Sequence, residues 1–181
     1  MKRQPLLQLL CQYTTTDPYE RQMWQDTISF VKTQPDCFER WLEVGHITAS
    51  AWIVDASRQH ALLMHHRKLN RWFQPGGHAD GDGDVLHVAL KEATEETALA
   101  AIRVVDTHVF DIDVHLIPAR DPMPAHLHYD IRFLFEANYD APLLGNHESD
   151  AVKWIRLEDI KNYNNTDSIL RMVNKTPGLL K

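Results

Sequence analysis

Residues Pro75 to Leu99, PGGHADGDGDVLHVALKEATEETAL, place a diglycine turn, an acidic loop and a predicted amphipathic helix in direct succession. The helix carries Glu92, Glu95 and Glu96 on one face, because residues three and four apart lie side by side on an α-helix. Like charges four apart, as at Glu92 and Glu96, cost roughly 0.2–0.5 kcal/mol. A divalent cation would offset this repulsion, since hard cations such as Mg²⁺ bind carboxylate and carbonyl oxygens.

The opposite face of this helix is predicted to be buried. Negative charge precedes the helix, where it interacts favourably with the N-terminal dipole, and either Asp82 or Asp84 is the predicted N-cap. An E-x-x-E-E pattern alone usually indicates a solvated helix face. Here the fixed distance between the glutamates and the preceding glycines is what favours a metal-binding role. The buried stripe recurs at helical spacing and consists of Leu86, Ala89, Leu90, Ala93 and Thr97.

The whole segment resembles the Nudix box, the signature of the Nudix hydrolase family. That signature reads G, five residues, E, seven residues, R-E, an aliphatic residue, any residue, E-E, any residue, G and an aliphatic residue. The strand predicted before the segment and the β-rich region after it also look like the family. Alignment on the paired glutamates places the first glycine on Gly77, R-E on Lys91 and Glu92, E-E on Glu95 and Glu96, and the last residue on Leu99.

Three positions depart from the family pattern. The first glutamate falls on Gly83, although Asp82 and Asp84 flank it. The arginine is Lys91, which keeps the charge but lacks the planar fork of a guanidinium. The glycine after the paired glutamates is Ala98, where a left-handed helix end would be strained and the helix is expected to end differently or run slightly longer. None of the three removes a glutamate of the metal-binding set.

The resemblance implies an α+β fold in which a mixed β-sheet is sandwiched between helices, an α/β/α arrangement. It implies hydrolysis of a nucleoside diphosphate linked to another moiety. The metal ligands it implies are Glu92, Glu95, Glu96 and the backbone carbonyl of Gly77, with Glu92 and Glu96 the firmest. Mg²⁺ is the usual metal of the family, and Mn²⁺ suits the same oxygen donors.

The general base and the substrate contacts are less narrowly defined. Many family members draw the base from a loop glutamate after the box, which points to Glu148; Glu92 is the alternative, and Glu95 also counts among the catalytic candidates. Arginines bind phosphate oxygens bidentately, so Arg67 and Arg71 are candidate substrate contacts, with a solvated basic loop as the alternative interpretation. His78 follows the diglycine directly and is a third candidate contact.

The chain contains eleven histidines, but no zinc-type spacing with cysteines. Structural roles or substrate contacts are therefore expected for His65, His66, His126 and His128. His126 and His128 share one strand face because side chains alternate along a strand. Asp130 and Arg132 share the same alternation and are expected to pair.

Composition favours a single soluble domain. The chain has 181 residues, 44% of them hydrophobic, and a net charge of −6, which disfavours general nucleic-acid binding. Cys11 and Cys37 do not suggest a disulfide framework, and the apolar N-terminal run is too short for a signal peptide. No stretch reaches transmembrane length, so a cytoplasmic location with no membrane partner is expected.

Residues 1–42 are predicted to be a helical extension and residues 43–181 the Nudix domain. Asp17 is the predicted N-cap of a helix that begins at Pro18, and the extension is expected to pack on the domain or to form a homodimer surface. Loops are predicted at 118–124 and 143–150, and helical segments from Leu157, broken near 163–166. Strands are predicted at 46–54, 61–66, 102–114, 126–138 and 151–156.

Two other functions remain open from the sequence. The departures at Gly83, Lys91 and Ala98 are compatible with a module that binds a nucleotide without cleaving it. An isomerase acting on an isoprenoid diphosphate is less favoured, because the cysteine and histidine of such relatives have no evident counterpart. Subfamily markers for sugar-nucleotide, dinucleotide and coenzyme A substrates are mostly absent, so the sequence leaves the substrate open.

Overall fold

The computed structural model describes residues 2–146 and 149–176, so Glu148 lies outside the described residues. Four α-helices, one 3₁₀ helix and eight strands are formed among them. None of these helices is long and apolar enough to cross a bilayer. In chain order the elements are α1 (Arg3–Gln12), α2 (Pro18–Thr33), β1 (Gly45–Val54), β2 (His60–His66), β3 (Arg71–Phe73), β4 (Gly76–His78), α3 (Val85–Thr97), β5 (Ile102–Val104), β6 (Asp111–Ile117), β7 (His126–Ala137), β8 (Ser149–Arg156), the 3₁₀ helix (Leu157–Asn162) and α4 (Asp167–Lys175).

The long elements agree with the sequence predictions, and several short segments do not, among them β3, where no strand was predicted. The predicted diglycine turn is wrong, because Gly76–His78 is strand β4 and pairs with β1. The single strand predicted at 102–114 is two strands, β5 and β6, separated by six residues. The loop predicted at 143–150 ends two residues early, since Ser149 and Asp150 belong to β8.

The chain divides into two compact units. Unit 1 comprises the residues up to Ser50, Gly76–Ala89 and Thr107–Phe133. Unit 2 comprises Ala51–Pro75, Leu90–Asp106 and the residues from Leu134 onward. Strands β1 and β7 and helix α3 contribute residues to both units.

Unit 1 is a set of paired strands with helix α2 on one face and helix α1 packed against α2. β1 lies beside β7 and pairs with β4, and β7 pairs antiparallel with β6 over seven residue pairs. Phe30 of α2 stacks on Tyr129 of β7 at 4.0 Å between ring centroids. The buried carboxylate of Glu20 accepts a hydrogen bond from the backbone N–H of Ile112 at 3.2 Å, which ties α2 to β6.

Side chains on β1, β6 and β7 alternate between this helix-covered face and the opposite one. The helix-covered face is apolar, as expected for strands of which one face packs on helices. The opposite face, called the polar face below, carries His46, Thr48 and Ser50 from β1, Asp111, Asp113 and His115 from β6, and His126, His128, Asp130 and Arg132 from β7.

Unit 2 is built around β2, which pairs antiparallel with β8 along its whole length and with β3 at its end. β5 pairs with the C-terminal end of β7. The indole N–H of Trp52 donates a hydrogen bond to the hydroxyl of Thr176 at 2.9 Å, which fastens the end of α4 to the core of the unit. Fully buried Leu62, Leu63 and Phe135 complete that core.

The N-terminal ends of α2 and α3 follow the predicted capping, whereas the C-terminal end of α3 does not. The carboxylate of Asp17 accepts hydrogen bonds from the backbone N–H groups of Tyr19 and Glu20, so the predicted cap of α2 is confirmed. Asp84 caps α3, since its carboxylate accepts from His87 N–H at 3.0 Å. α3 ends at Thr97, and Ala98 adopts a left-handed conformation with φ of 55°. Ala98 therefore takes the conformation that the family glycine would take, and the prediction that the helix would end differently or run longer is wrong.

We expect Ala98→Gly to raise the free energy of unfolding by about 1 kcal/mol, because glycine adopts positive φ without the steric penalty of a Cβ. Urea unfolding followed by circular dichroism measures the change. Ala100→Gly is the matched control: Ala100 has no positive φ, and the substitution should give no gain. Equal gains at both positions would contradict this account of Ala98.

Candidate metal centre and polar face

The three glutamates of α3 differ in exposure. Glu96 is buried, with 6% of its surface exposed. The side chain of Glu92 is 19% exposed and that of Glu95 is 56% exposed. A carboxylate as buried as Glu96 requires compensation, and its neighbour one turn earlier is another carboxylate.

Lys91, at the position of the family arginine, lies beside two of these glutamates. Its ammonium is 3.3 Å from a carboxylate oxygen of Glu92 and 3.4 Å from one of Glu95. The Glu92 carboxylate is the main cause of a pKa of Lys91 above its ordinary value. Lys91 is half exposed, so these pairs contribute little to stability, but they hold a positive charge at the edge of the acidic face.

The acidic loop before α3 explains why glycine replaces the first glutamate of the box. A Cβ on Gly83 would lie 2.6 Å from the backbone oxygen of Lys2, at the start of α1. The Lys2 ammonium also donates a hydrogen bond to the carbonyl of Gly81 at 3.0 Å. The flanking Asp82 accepts from Asp84 N–H at 2.9 Å. Both aspartates thus organise the helix N-terminus.

The arginines predicted to contact substrate lie on or next to strands of unit 2. Arg67 is paired with Asp150 at 2.7 Å, and Asp150 is also 3.5 Å from His65. Arg71 is exposed at the start of β3. Either guanidinium is accessible to an anion, although Arg67 would have to leave its carboxylate partner. His78, the third predicted contact, lies on β4 in unit 1.

Three imidazoles meet on the polar face of unit 1, and we call them the histidine cluster: His46, His78 and His128. One ligand nitrogen from each ring lies within 4.8 Å of the other two. The Nε2 atoms of His46 and His128 are 3.1 Å apart. The rings of His126 and His115 lie 5.2 and 5.5 Å from that of His128.

Burial keeps two members of the cluster neutral. Burial, followed by the neighbouring His78 and His126, lowers the pKa of His46 from 6.5 to about 4. Burial, followed by His78 and His46, lowers the pKa of His128 to about 2. Both rings therefore present a lone pair at neutral pH.

In the metal-free protein, we expect the free energy of unfolding to fall by up to about 4 kcal/mol between about pH 7 and pH 5. The folded-state pKa values of His46 and His128 are depressed, so the unfolded chain binds more protons below about pH 6.5 and stability is lost as pH falls. Each group contributes roughly 1.4 kcal/mol per pH unit in that window. Urea titrations in the presence of a chelator measure the slope. A His128→Gln protein should show a shallower slope, and a flat wild-type curve would contradict the burial of neutral imidazoles.

A buried ion cluster lies next to these histidines on the polar face. The guanidinium of Arg132 contacts Asp130 at 2.8 Å, Asp111 at 3.1 Å and Asp113 at 3.3 Å. Burial alone would lower the pKa of Arg132, but these carboxylates raise it above its ordinary value. The hydroxyls of Thr48 and Ser50 donate to Asp130 at 3.0 and 2.7 Å. The expected pair of Asp130 and Arg132 is confirmed as part of this larger cluster.

Sequence reasoning singled out four of the ten residues of this face. It placed His126 and His128, and Asp130 and Arg132, on one side of β7. It did not single out His46, Asp111 or Asp113. The available signal was the alternation of polar and apolar residues in HITAS and DIDVH, the segments that form β1 and β6.

Comparison with known proteins identifies relatives in sequence. A family model described as the NUDIX domain matches residues 45–173. The asymmetrical bis(5'-nucleosyl)-tetraphosphatase of Rattus norvegicus is 26% identical over 99 residues, which are 54% of this chain and 64% of the rat protein. The match thus spans slightly less than two thirds of that relative's length.

Solved structures show the same fold. A binary complex of a C. elegans Ap4A hydrolase has a TM-score of 0.58 at 19% identity, covering 71% of this chain and 93% of the other. A MutT protein from Methanosarcina mazei Go1 has a TM-score of 0.55 at 16% identity, covering 75% and 94%. The E. coli dihydroneopterin triphosphate pyrophosphohydrolase gives 0.55 at 10% identity, covering 71% and 92%. These neighbours confirm the predicted α+β class with a mixed sheet and flanking helices.

Proposed function

Because this chain belongs to the Nudix family, whose domain model spans residues 45–173, we propose that it hydrolyses a phosphoric anhydride bond in a nucleoside diphosphate linked to another moiety. Nudix hydrolases typically use divalent metal ions. The observation that carries the proposal is the set of three glutamates on α3, of which Glu96 is buried. The residues around it keep the family pattern except at Gly83, Lys91 and Ala98.

The donor set on α3 fits Mg²⁺. Three carboxylates at i, i+3 and i+4 supply oxygen ligands from one rigid helix, and a hard cation prefers such ligands. The carbonyl of Gly77 stays a prediction from the family pattern. When bound at these carboxylates, Mg²⁺ would supply positive charge to the diphosphate oxygens and would acidify the attacking water. Mn²⁺ suits the same donors.

The protein groups in this proposal have separate tasks. Glu92 and Glu96 hold the cation, and Glu95 shares in binding it. Lys91, beside Glu92 and Glu95, balances their charge and keeps their carboxylates oriented. The general base is Glu148 or Glu92, either of which would accept the proton of the attacking water.

Substrate class is the finer part of the proposal. The rat relative carries a name that specifies a bis(5'-nucleosyl) tetraphosphate, which makes dinucleoside polyphosphates the first compounds to examine. Arg67, Arg71 and His78 are the proposed contacts to substrate phosphates, since arginine and imidazole donate to anionic oxygens. We propose no nucleic-acid partner and no membrane partner for this protein.

A hydrolysis screen tests the proposed function. The wild-type protein is incubated with dinucleoside polyphosphates, nucleoside triphosphates, sugar nucleotides and coenzyme A esters, with Mg²⁺, with Mn²⁺ and with chelator. We expect cleavage of an anhydride bond in one class that requires the metal. Tight nucleotide binding without cleavage would instead support the non-hydrolysing module, and rearrangement with the diphosphate intact would support the isomerase.

A further inference from the structure

The histidine cluster has the geometry of a metal site. Two nitrogens that are each about 2.05 Å from a zinc-sized ion subtend roughly 98° when they are 3.1 Å apart, close to the tetrahedral angle. His46 and His128 already have that separation. The 4.8 Å limit on the remaining distances means that a shift of about 1–1.5 Å at most brings the third nitrogen into place.

The strands that carry the cluster hold it in place. His46 is on β1, His78 is on β4 and His128 is on β7, and β1 lies between the other two strands. His78 is directly opposite Thr48 in the register, so its side chain shares the polar face with His46, two residues away. A site built on three neighbouring strands is preorganised, since strands hold side chains more firmly than loops do.

His46 has an unusual set of partners for a buried histidine. It is 1% exposed. Its Nε2 lies 3.1 Å from the Nε2 of His128, so the two rings face each other through these nitrogens. A metal ion that binds the Nε2 lone pair of each ring would replace this contact, with the proton of each neutral imidazole on Nδ1.

We propose that His46, His78 and His128 bind a borderline divalent transition metal such as Zn²⁺, with a fourth position open to water or to an anionic oxygen. Imidazole nitrogen suits Zn²⁺, Co²⁺ and Ni²⁺, whereas Mg²⁺ prefers oxygen. Three histidines with one open position form a common zinc arrangement. His46 and His128 are neutral at physiological pH, which is the form that ligates metal. This donor set shares no residue with the glutamates of α3, and His78 would ligate through one ring nitrogen while its other N–H donates to a substrate phosphate.

Cobalt substitution tests the proposal on the full chain without a histidine tag. Co²⁺ is titrated into metal-free protein at about pH 7.5 in excess Mg²⁺, which occupies the oxygen ligands. We expect one Co²⁺ per chain and the intense visible ligand-field bands of four-coordinate cobalt, displaced by Zn²⁺. The absence of such bands from the wild-type protein would overturn the proposal. The imidazoles would then act only as a hydrogen-bonded pair.

Variants assign the bands to these side chains. His128→Gln should weaken cobalt binding at least tenfold, and His78→Gln provides the same test should the first variant not fold. His108→Gln removes an exposed-loop imidazole outside the cluster and should bind cobalt as the wild type does. Equal binding by His78→Gln, His128→Gln and wild type would overturn the assignment. The readout is independent of hydrolysis, so failure of the substrate screen and failure of this site are distinguishable.

Discussion

Replacing Glu96 by glutamine is expected to reduce metal-dependent hydrolysis by about 10²–10⁴-fold, which corresponds to roughly 3–5 kcal/mol in the activation free energy. Glutamine has the same shape as glutamate but no charge, so the helix should persist while a charged metal ligand is lost. Glu96 is the most buried of the three glutamates, which makes it the least replaceable by water. Turnover measured against Mg²⁺ concentration gives the effect, with the thermal midpoint as a check on folding.

Two further glutamate-to-glutamine changes are matched comparisons for Glu96→Gln. Glu95 is more than half exposed, so Glu95→Gln should cost less activity. Glu148→Gln should lower turnover without changing the Mg²⁺ dependence if Glu148 is the base, and unchanged turnover would remove Glu148 from the mechanism. Equal, small losses for Glu95→Gln and Glu96→Gln would contradict the assignment of Glu96 as a principal ligand.

Replacing Arg132 by alanine is expected to destabilise the protein by about 3–5 kcal/mol, because it leaves buried carboxylates without their common counter-charge. Arg132 is 3% exposed and contacts three aspartates, which are themselves almost fully buried. The free energy of unfolding from urea titration measures the loss. The deficit should shrink at acidic pH, since the orphaned carboxylates would take up protons.

Arg103→Ala is the control for Arg132→Ala. Arg103 also bonds a carboxylate, that of Glu136 at 2.7 Å, but its own side chain is 60% exposed. Glu136 keeps a second partner in Arg58 at 2.9 Å. The control should therefore lose less than about 1 kcal/mol. Similar losses in the two variants would show that burial does not increase the contribution of the Arg132 ion cluster to the free energy of unfolding.

Periodicity predicted the elements that have enough residues to show a period. Helix α3 and strands β1 and β7 each span ten or more residues, and their alternation or helical spacing is visible in the sequence. The capping of α2 by Asp17 also follows from local residues alone. Strands β3, β4 and β5 span three residues each, too few for any pattern, and exist because a neighbouring strand pairs with them.

The features that sequence reasoning missed depend on pairing between distant segments. His46 and His128 are 82 residues apart, and nothing local indicates that their rings meet. Asp111 joins Arg132 only because β6 and β7 pair in that register. In the sequence, Gly83 is only a departure from the box, whereas the structure shows that a Cβ there would meet the backbone of Lys2. The alternation of polar and apolar residues along each strand was visible in the sequence, but the sequence did not specify which of these strands lie side by side.

The alternation along β7 also constrains insertions and deletions. Its polar residues belong to the histidine cluster and to the buried ion cluster around Arg132, and its apolar residues include Tyr129, which stacks on α2. A one-residue slip would exchange the two faces and drive Asp130 and Arg132 against apolar helix side chains. Substitutions that keep the polarity of each position can therefore be tolerated independently along this strand, whereas the insertion or deletion of a single residue cannot. A sequence alignment of relatives with this face should run through β7 without gaps.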